Sequence, residues 1–308
     1  MINRALIRVK VVQVLYSNVI KQEKDLKKIE KELNNSLDKS YELYNMLLQL
    51  IVELTDLEER EQDEARNRYF PTDEELNPNT RFVDNRLAKI LREDATLRDY
   101  IDENLCTWTD NPIFTHLLLD KIKRSATYMK YMDAEESSLK DDCDLWRNLL
   151  KKVIFNDEIF KDELESRSVY WNDDVDIMGQ FALKTIKRIE EQKEPYAMPK
   201  YKNEEDYEYA ILLLEKSFQG RGENDELIDS YVKKESWSPE RIGLMERLIM
   251  DVAIAEMKTF VSIPINVTLN EFIEIAKYYG NQESGKFVNG ILHSVSQHVR
   301  AERPNSHF

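Results

Sequence analysis

The chain has 308 residues, 42% of them apolar, and its formal net charge is −15. This length allows one large or two ordinary domains, and the apolar content is sufficient for a sizeable core, which argues against intrinsic disorder. No stretch approaches the run of about 18 apolar residues that a membrane span needs, and the N-terminus lacks a signal-peptide pattern, so we expect a cytoplasmic protein. The acidic excess also argues against indiscriminate nucleic-acid binding, because phosphate contacts are made chiefly by Lys and Arg.

The charge is unevenly distributed along the chain. Residues 1–20 carry Arg4, Arg8 and Lys10 and no acidic residue, a net charge of +3, whereas residues 21–200 carry −12 and residues 201–308 carry −6. A basic tip on an acidic body is compatible with a local, shape-selective RNA site. Together with the proline-rich break at 195–199, this distribution predicts three segments: an N-terminal basic helix at 1–20, an acidic helical segment at 21–200 and a C-terminal helical domain at 201–308.

The first two thirds of the chain are predicted to be helical throughout. No glycine occurs before Gly179, and no run of alternating Val, Ile and Thr indicates a strand. Asn111 followed by Pro112 is typical of a helix start, with an N-cap and a proline at the first helical position. The predicted helices lie near residues 3–20, 22–34, 38–68, 83–92, 94–106, 112–133, 140–154, 157–167 and 174–192.

The last third continues the helical pattern, with helices predicted near residues 203–218, 224–235, 239–259, 268–279 and 282–300. The Gly220-Arg-Gly222 segment is interpreted as a turn between the first two of these helices. Thr268 to Glu271 has the spacing of a capping box, and Gly280 is expected to close that helix in the left-handed region. The run from Leu248 to Met257 is apolar nearly all round, which predicts a helix buried at the centre of a bundle.

Few residues have the pattern that catalysis or metal binding requires. The two cysteines, Cys106 and Cys143, have no neighbouring Cys or His at metal-ligand spacing, and the four histidines have no evident nucleophilic partner. Gly220-Arg-Gly222 lacks the third glycine of a dinucleotide-binding fingerprint. The sequence therefore predicts a protein without metal or cofactor that is not an enzyme.

Several segments of the C-terminal third resemble the NusB family in order and spacing. They are Tyr207-Glu-Tyr-Ala, Asp225-Glu-Leu-Ile-Asp229, Trp237-Ser-Pro-Glu-Arg-Ile242, Glu246 to Met257, Ile263 to Glu271, Ala276-Lys-Tyr-Tyr-Gly280 and Glu283 to Leu292. The most diagnostic element is Lys286-Phe-Val-Asn-Gly290. At the other end, Arg4, Arg8 and Val12-Gln-Val-Leu-Tyr-Ser17 resemble the arginine-bearing first helix of that family. The resemblance covers roughly residues 1–20 and 203–300.

The resemblance implies an all-α fold of NusB-like helical bundles, here with an additional helical insertion. It also implies a transcription antitermination factor without catalytic activity. Such a factor binds boxA-type RNA together with NusE, the ribosomal protein in its transcription role, and acts on the RNA polymerase elongation complex to support ribosomal RNA synthesis.

Site residues follow from the same resemblance. It implies that Arg4 and Arg8 contact the RNA backbone, that Tyr209 and Phe287 contact bases, and that Glu283 accepts a hydrogen bond at the RNA edge. Without the resemblance, Tyr209 and Phe287 are interpreted equally well as core aromatics. Aromatic rings suit stacking on unpaired bases. Two residues, Lys286 and Asn289, either touch phosphate or cap a local turn, and Tyr16 either faces NusE or RNA or packs the first helix.

The sequence departs from the family pattern in two respects. Leu6 and Ile7 stand where further basic residues are usual, which predicts weaker affinity for RNA alone or dependence on NusE. The acidic segment of about 180 residues is much longer than the family connection; it is either a diverged second bundle, a docking surface for other factors, or a scaffold covering the usual dimer contact. Two other functions stay open: a helical protein-interaction scaffold that has lost RNA binding, and, less favoured, a module of an RNA-modifying enzyme.

Overall fold

The computed structural model describes residues 1–234, 242–280 and 282–302. Over these residues the chain forms fourteen α-helices and a single π-helical turn, Leu150–Ile154. No strand forms in this described part; an isolated parallel bridge joins Ile2 and Tyr201. The predicted all-α class is therefore confirmed. The helices are α1 (Arg4–Lys21), α2 (Leu26–Arg66), α3 (Asp73–Leu76), α4 (Arg86–Glu93), α5 (Ala95–Asn104), α6 (Pro112–Lys123), α7 (Ala126–Met132), α8 (Leu139–Leu149), α9 (Glu158–Arg167), α10 (Val175–Glu190), α11 (Glu204–Lys234), α12 (Leu244–Thr259), α13 (Ile265–Tyr279) and α14 (Gln282–Glu302).

The chain divides into two compact units. The middle unit consists of Met1 and Asp38–Lys200, and the terminal unit consists of Ile2–Leu37 and Tyr201–Phe308. The terminal unit thus joins α1 to the helices of the last third of the chain, although about 180 residues separate Lys21 at the end of α1 from Glu204 at the start of α11. Among the described helices, none combines the length and the apolar character that crossing a bilayer would require.

The core of the terminal unit is built around α12. Every residue from Leu248 to Met257 is buried, as the apolar run predicts, and α12 packs against α1, α11, α13 and α14. Two of these buried positions, Asp251 and Glu256, are acidic. An unpaired charge in such a position would be costly, so each needs a polar partner from a neighbouring helix.

The middle unit has a core rich in aromatic side chains. Trp108, Trp146 and Trp171 are almost fully buried, and Trp108 lies near Phe114 and Phe160 at ring-centroid distances of 5.4 and 6.2 Å. Buried indole N–H groups need acceptors. Nε1 of Trp108 donates to the carbonyl oxygen of Met46 at 2.7 Å, and Nε1 of Trp171 donates to that of Lys39 at 2.8 Å, both within α2.

Two predicted breaks are wrong because the chain stays helical through them. The predicted gap between residues 34 and 38 lies inside α2, where Leu33, Leu37 and Tyr41 continue one buried stripe at helical spacing. The Gly220-Arg-Gly222 segment lies inside α11 and is not a turn. A glycine in a helix interior costs about 1 kcal/mol relative to alanine, but buried side chains before and after this segment hold the helix in the core.

The helix predicted at 112–133 is correct at its start and wrong in its length. The predicted helix 112–133 is two helices, because Ser125 accepts a hydrogen bond from the N–H of Tyr128 and starts α7. The predicted start at Asn111 and Pro112 is confirmed, since Oδ1 of Asn111 accepts from the N–H of Phe114 at 3.2 Å.

The capping box predicted at Thr268 does not start a helix. Helix α13 begins one turn earlier, at Ile265 after Pro264, and Thr268 is buried within it. Gly280 does follow the last residue of α13, but its φ of −120° is not left-handed. The helix predicted near 239–259 has its predicted start outside the described residues, as do Trp237 and the rest of its segment up to Arg241. The described part of that helix, α12, begins at Leu244.

Candidate functional site

The polar centre of the terminal unit is a buried ion pair between α1 and α12. Arg8 is 3% exposed, and its Nε and Nη2 lie 2.9 and 2.8 Å from Oε1 of Glu256. Its Nη1 lies 3.4 Å from Oε2 of Glu271 on α13, a partly exposed carboxylate. Charge-assisted hydrogen bonds of this kind are about twice as strong as neutral ones. Arg8 therefore ties α1 to both α12 and α13.

Tyr209 of α11 completes this centre. Its hydroxyl donates a hydrogen bond to the same Oε1 of Glu256, while Oε2 of Glu256 is buried and has no hydrogen-bond partner among the described residues. Burial, reinforced by the charge of Glu256, raises the pKa of the Tyr209 hydroxyl well above its usual range, so the phenol stays protonated. Three helices, α1, α11 and α12, thus converge on one carboxylate oxygen.

Arg4 lies beside this centre but keeps contact with solvent. Its guanidinium carbon is 5.0 Å from the centroid of the Tyr209 ring, a cation–π contact, and its Nε is 3.6 Å from Oδ1 of Asp206. The Arg4 side chain is 40% exposed. By contrast Lys10, the third basic residue of the N-terminal segment, is 1% exposed. The basic tip expected from the sequence is therefore mostly internal, and Arg4 carries its accessible charge.

This arrangement changes the interpretation of two predicted contact residues. Arg8 and Tyr209 are buried in the described structure, and their polar groups are engaged with Glu256. Buried groups of this kind do not present themselves to an RNA ligand, so direct contact by either is disfavoured on physical grounds. Arg8 instead holds α1 against α12, and the ring of Tyr209 lies beneath the guanidinium group of Arg4.

The first turns of α14 carry a second group of polar side chains. This group is exposed, whereas the polar centre around Glu256 is buried. Glu283, Lys286 and Asn289 are exposed, at the three-residue spacing that puts them on one side of the helix. Nζ of Lys286 donates to Oε1 of Glu283 at 2.7 Å. Phe287 is half-buried. These four side chains occupy an accessible helical surface, as an RNA contact requires.

Close packing of α13 and α14 fixes where this surface lies. Gly285 is buried, and a Cβ there would come within 2.6 Å of Cγ of Lys277 on α13, so this position accepts only glycine without displacing Lys277. One residue earlier, the Ser284 hydroxyl donates to Oε1 of Glu246 on α12 at 3.1 Å. The start of α14 is thereby held against both α12 and α13.

Tyr16, predicted to meet a partner or to pack α1, is half-buried. One turn earlier on α1, Nε2 of Gln13 donates to the hydroxyl of Tyr279 at 2.7 Å, which joins α1 to the end of α13. This location is compatible with both of the roles left open for Tyr16.

The residues that the sequence did not single out are the acidic partners: Asp206, Glu256 and Glu271. A signal for Glu256 was present in the sequence, because an acidic residue inside an otherwise apolar helix requires a cationic or hydrogen-bonding partner.

Asp251, the second acidic residue buried in α12, also has a hydrogen-bonding partner. Its Oδ1 accepts from Nδ2 of Asn224 at 2.8 Å, Oδ1 of Asn224 accepts from Nζ of Lys258 at 2.9 Å, and burial raises the pKa of Asp251 to about 7.

The geometry of the terminal unit defines an all-helical bundle in which an arginine-bearing helix, α1, is bound to the central helix α12 and polar side chains are exposed on α14. Residues 173–297 match the NusB family. Similar proteins include the transcription antitermination proteins NusB of Bacillus thuringiensis (strain Al Hakam), Bacillus cereus (strain AH187) and Bacillus anthracis (strain CDC 684 / NRRL 3495). Each is 45% identical over 85 residues, which is 27% of this chain and 65% of the relative.

The chain therefore contains a NusB-family domain at residues 173–297, which confirms the resemblance in its C-terminal part. It spans 65% of the length of these relatives. No solved structure matches the chain. The matched residues include Tyr209, Glu256, Glu271 and the start of α14, whereas Arg4, Arg8 and Tyr16 on α1 lie outside the match.

Proposed function

We propose that this protein is a transcription antitermination factor that binds boxA-type RNA together with NusE, as part of an RNA polymerase elongation complex in the cytoplasm. It acts by binding and performs no catalysis. One observation carries the proposal: Arg8 of α1 is bound to Glu256 of α12, inside the segment that matches the NusB family. An arginine helix from the start of the chain thereby belongs to the same compact unit as most of the NusB-family domain.

The roles of the residues follow from their exposure. Arg4 supplies a charge for the RNA backbone, and Lys286 supplies a second one at the start of α14. Phe287 offers part of its ring for stacking, while Glu283 and Asn289 offer hydrogen-bonding groups to base edges. Arg8 and Tyr209 act as positioning residues through Glu256. Tyr16 is assigned to the NusE contact.

The test is fluorescence anisotropy of a labelled boxA RNA, and a scrambled RNA of equal length is the control. Binding is measured with and without NusE at one fixed salt concentration. We expect selective binding that strengthens with NusE and weakens in Arg4→Ala. Arg124→Ala is the matched control, because Arg124 lies in the middle unit with an 81% exposed side chain. A general loss of positive charge would affect both variants equally, whereas a specific contact affects Arg4→Ala alone.

A second candidate function, the interaction scaffold without RNA binding, is favoured by the burial of basic residues in α1. Arg8 and Lys10 are internal, and the apolar pair Leu6 and Ile7 is buried as well. Absence of selective RNA binding even in the presence of NusE would reject antitermination by this route and support the scaffold.

A further inference from the structure

Two aromatic side chains stand exposed just after the end of α2 in the middle unit. Tyr69 is 91% exposed and Phe70 is 86% exposed, and their rings touch edge to face with centroids 4.7 Å apart. Each aromatic ring that stays in water forgoes the stabilisation that burial would give. Single exposed apolar residues are ordinary, but a contacting pair of rings is the kind of feature that anchors protein partners. We call these two residues the aromatic tip.

An ion pair and hydrogen bonds fix the turn that follows the aromatic tip. Arg68 forms an ion pair with Glu75, and Thr72 forms a reciprocal capping box with Glu75 at the start of α3. Further on, Nε2 of Gln62 on α2 donates to the carbonyl oxygen of Asn79 at 3.4 Å. A surface already held in place loses little conformational entropy when a partner binds.

An acidic cavity adjoins the aromatic tip. Arg68 and Thr72, which flank the tip in sequence, both line a cavity of about 610 Å³. Five glutamates against one arginine and one lysine leave its lining with a net charge of −3 when His116 is neutral. The glutamates are Glu58, Glu61, Glu64, Glu74 and Glu75.

Two of these carboxylates are open to a ligand. Glu58 and Glu61 lie 2.7 and 3.4 Å from Nζ of Lys123, and Glu75 is engaged as described above. Glu64 and Glu74 are exposed and form no ion pair within the described part of the chain. The cavity therefore offers accessible negative charge next to exposed aromatic rings.

We propose that the aromatic tip and the acidic cavity form a docking surface for a basic polypeptide segment that carries an apolar side chain. Lys or Arg of the partner meets Glu64 and Glu74, and the apolar side chain packs on Tyr69 and Phe70. Like charge disfavours a nucleic acid here, and a small cation would leave the rings unused. This surface gives the acidic insertion a function of its own, separate from the RNA site of the terminal unit.

The probes are two labelled synthetic peptides of equal charge, both rich in Lys and Arg, one with a central Trp and the other with Gly in its place. Anisotropy is measured with the full chain at about 50 and about 200 mM salt. We expect the Trp peptide to bind more tightly, and Tyr69→Ala/Phe70→Ala to weaken it about tenfold or more. Glu64→Gln/Glu74→Gln is expected to weaken both peptides and to reduce the salt dependence.

Matched controls exist on the same unit. Val169 is 75% exposed and Glu103 is exposed, and neither lines the cavity, so Val169→Ala and Glu103→Gln should leave peptide affinity unchanged. Circular dichroism verifies that each variant is folded, which exposed substitutions should permit. The boxA affinity of the same variants should not change, so the result is independent of the proposed RNA function.

Three outcomes would overturn this proposal. They are no binding of either peptide, equal affinity for the Trp and Gly peptides, and unchanged peptide affinity in Tyr69→Ala/Phe70→Ala. If the third outcome came with a loss of single-stranded RNA affinity in the same variant, the surface would be assigned to nucleic acid instead.

Discussion

The terminal unit uses charged residues in two contrasting ways. Around α12 they lie in the interior, where Arg8 meets Glu256 and Asp251 meets Asn224. At the start of α14 they lie on the surface, where Lys286 meets Glu283. Buried pairs are costly to break, whereas exposed pairs contribute at most about 1 kcal/mol. The interior set therefore holds the helices together, whereas the surface set adds little to stability and lies where a partner can reach it.

The largest expected effect is on the interior set. Glu256→Ala would leave Arg8 buried without its main partner, and loss of one member of a buried pair typically costs about 3–5 kcal/mol. We expect a loss of that size in the free energy of unfolding, measured by urea denaturation. Glu271→Ala is the matched control, because Glu271 is a longer, partly exposed contact of the same arginine and should cost much less.

Tyr209→Phe should have the next largest effect. It removes the hydrogen bond from the Tyr209 hydroxyl to Glu256 and keeps the ring on which Arg4 rests. Hydrogen bonds to charged groups contribute about 1.5–3 kcal/mol, and we expect a loss within that range in the same denaturation experiment. A variant as stable as the wild type would mean that Glu256 does not need this donor.

A third expectation concerns pH. Burial raises the pKa of Asp251 to about 7, against about 4 for an aspartate in an unfolded chain. Between these values the folded state binds a proton that the unfolded state releases, so the stabilising contribution is complete below about pH 4 and is lost as pH rises toward 7. Asp251→Asn should remove this decline. Unfolding free energies at several pH values test it, and parallel pH profiles of the two proteins would contradict it.

The smallest effect on stability is expected at the surface of α14. Lys286→Ala should change the free energy of unfolding by less than about 0.5 kcal/mol, as exposed substitutions usually do. If Lys286 contacts a phosphate, the variant should bind boxA RNA more weakly, with the salt slope reduced by about 0.7. If Lys286→Ala lowered the free energy of unfolding but left RNA affinity unchanged, Lys286 would be a stabilising residue like those of the interior set and not an RNA contact.

Sequence patterns predicted the helices of the fold unevenly. The buried apolar run on α12 and the helix start at Asn111 were readable because they depend on neighbours along the chain. The continuity of α11 through Gly220 and Gly222 was not, because local glycine preference was outweighed by packing on both sides of the segment. The start of α13 was misplaced for a similar reason, since Thr268 has a capping pattern but is buried inside the helix.

The sequence by itself determined that the chain is helical, that its C-terminal part resembles the NusB family and that α1 carries arginines, because composition, periodicity and motif spacing are local properties. Only the tertiary structure decided which charges are available for binding. Arg4 and Arg8 lie four residues apart on one helix and are equivalent by spacing, yet Arg8 is buried against Glu256 and Arg4 is partly exposed. That difference depends on a carboxylate about 250 residues away, which only folding brings to α1.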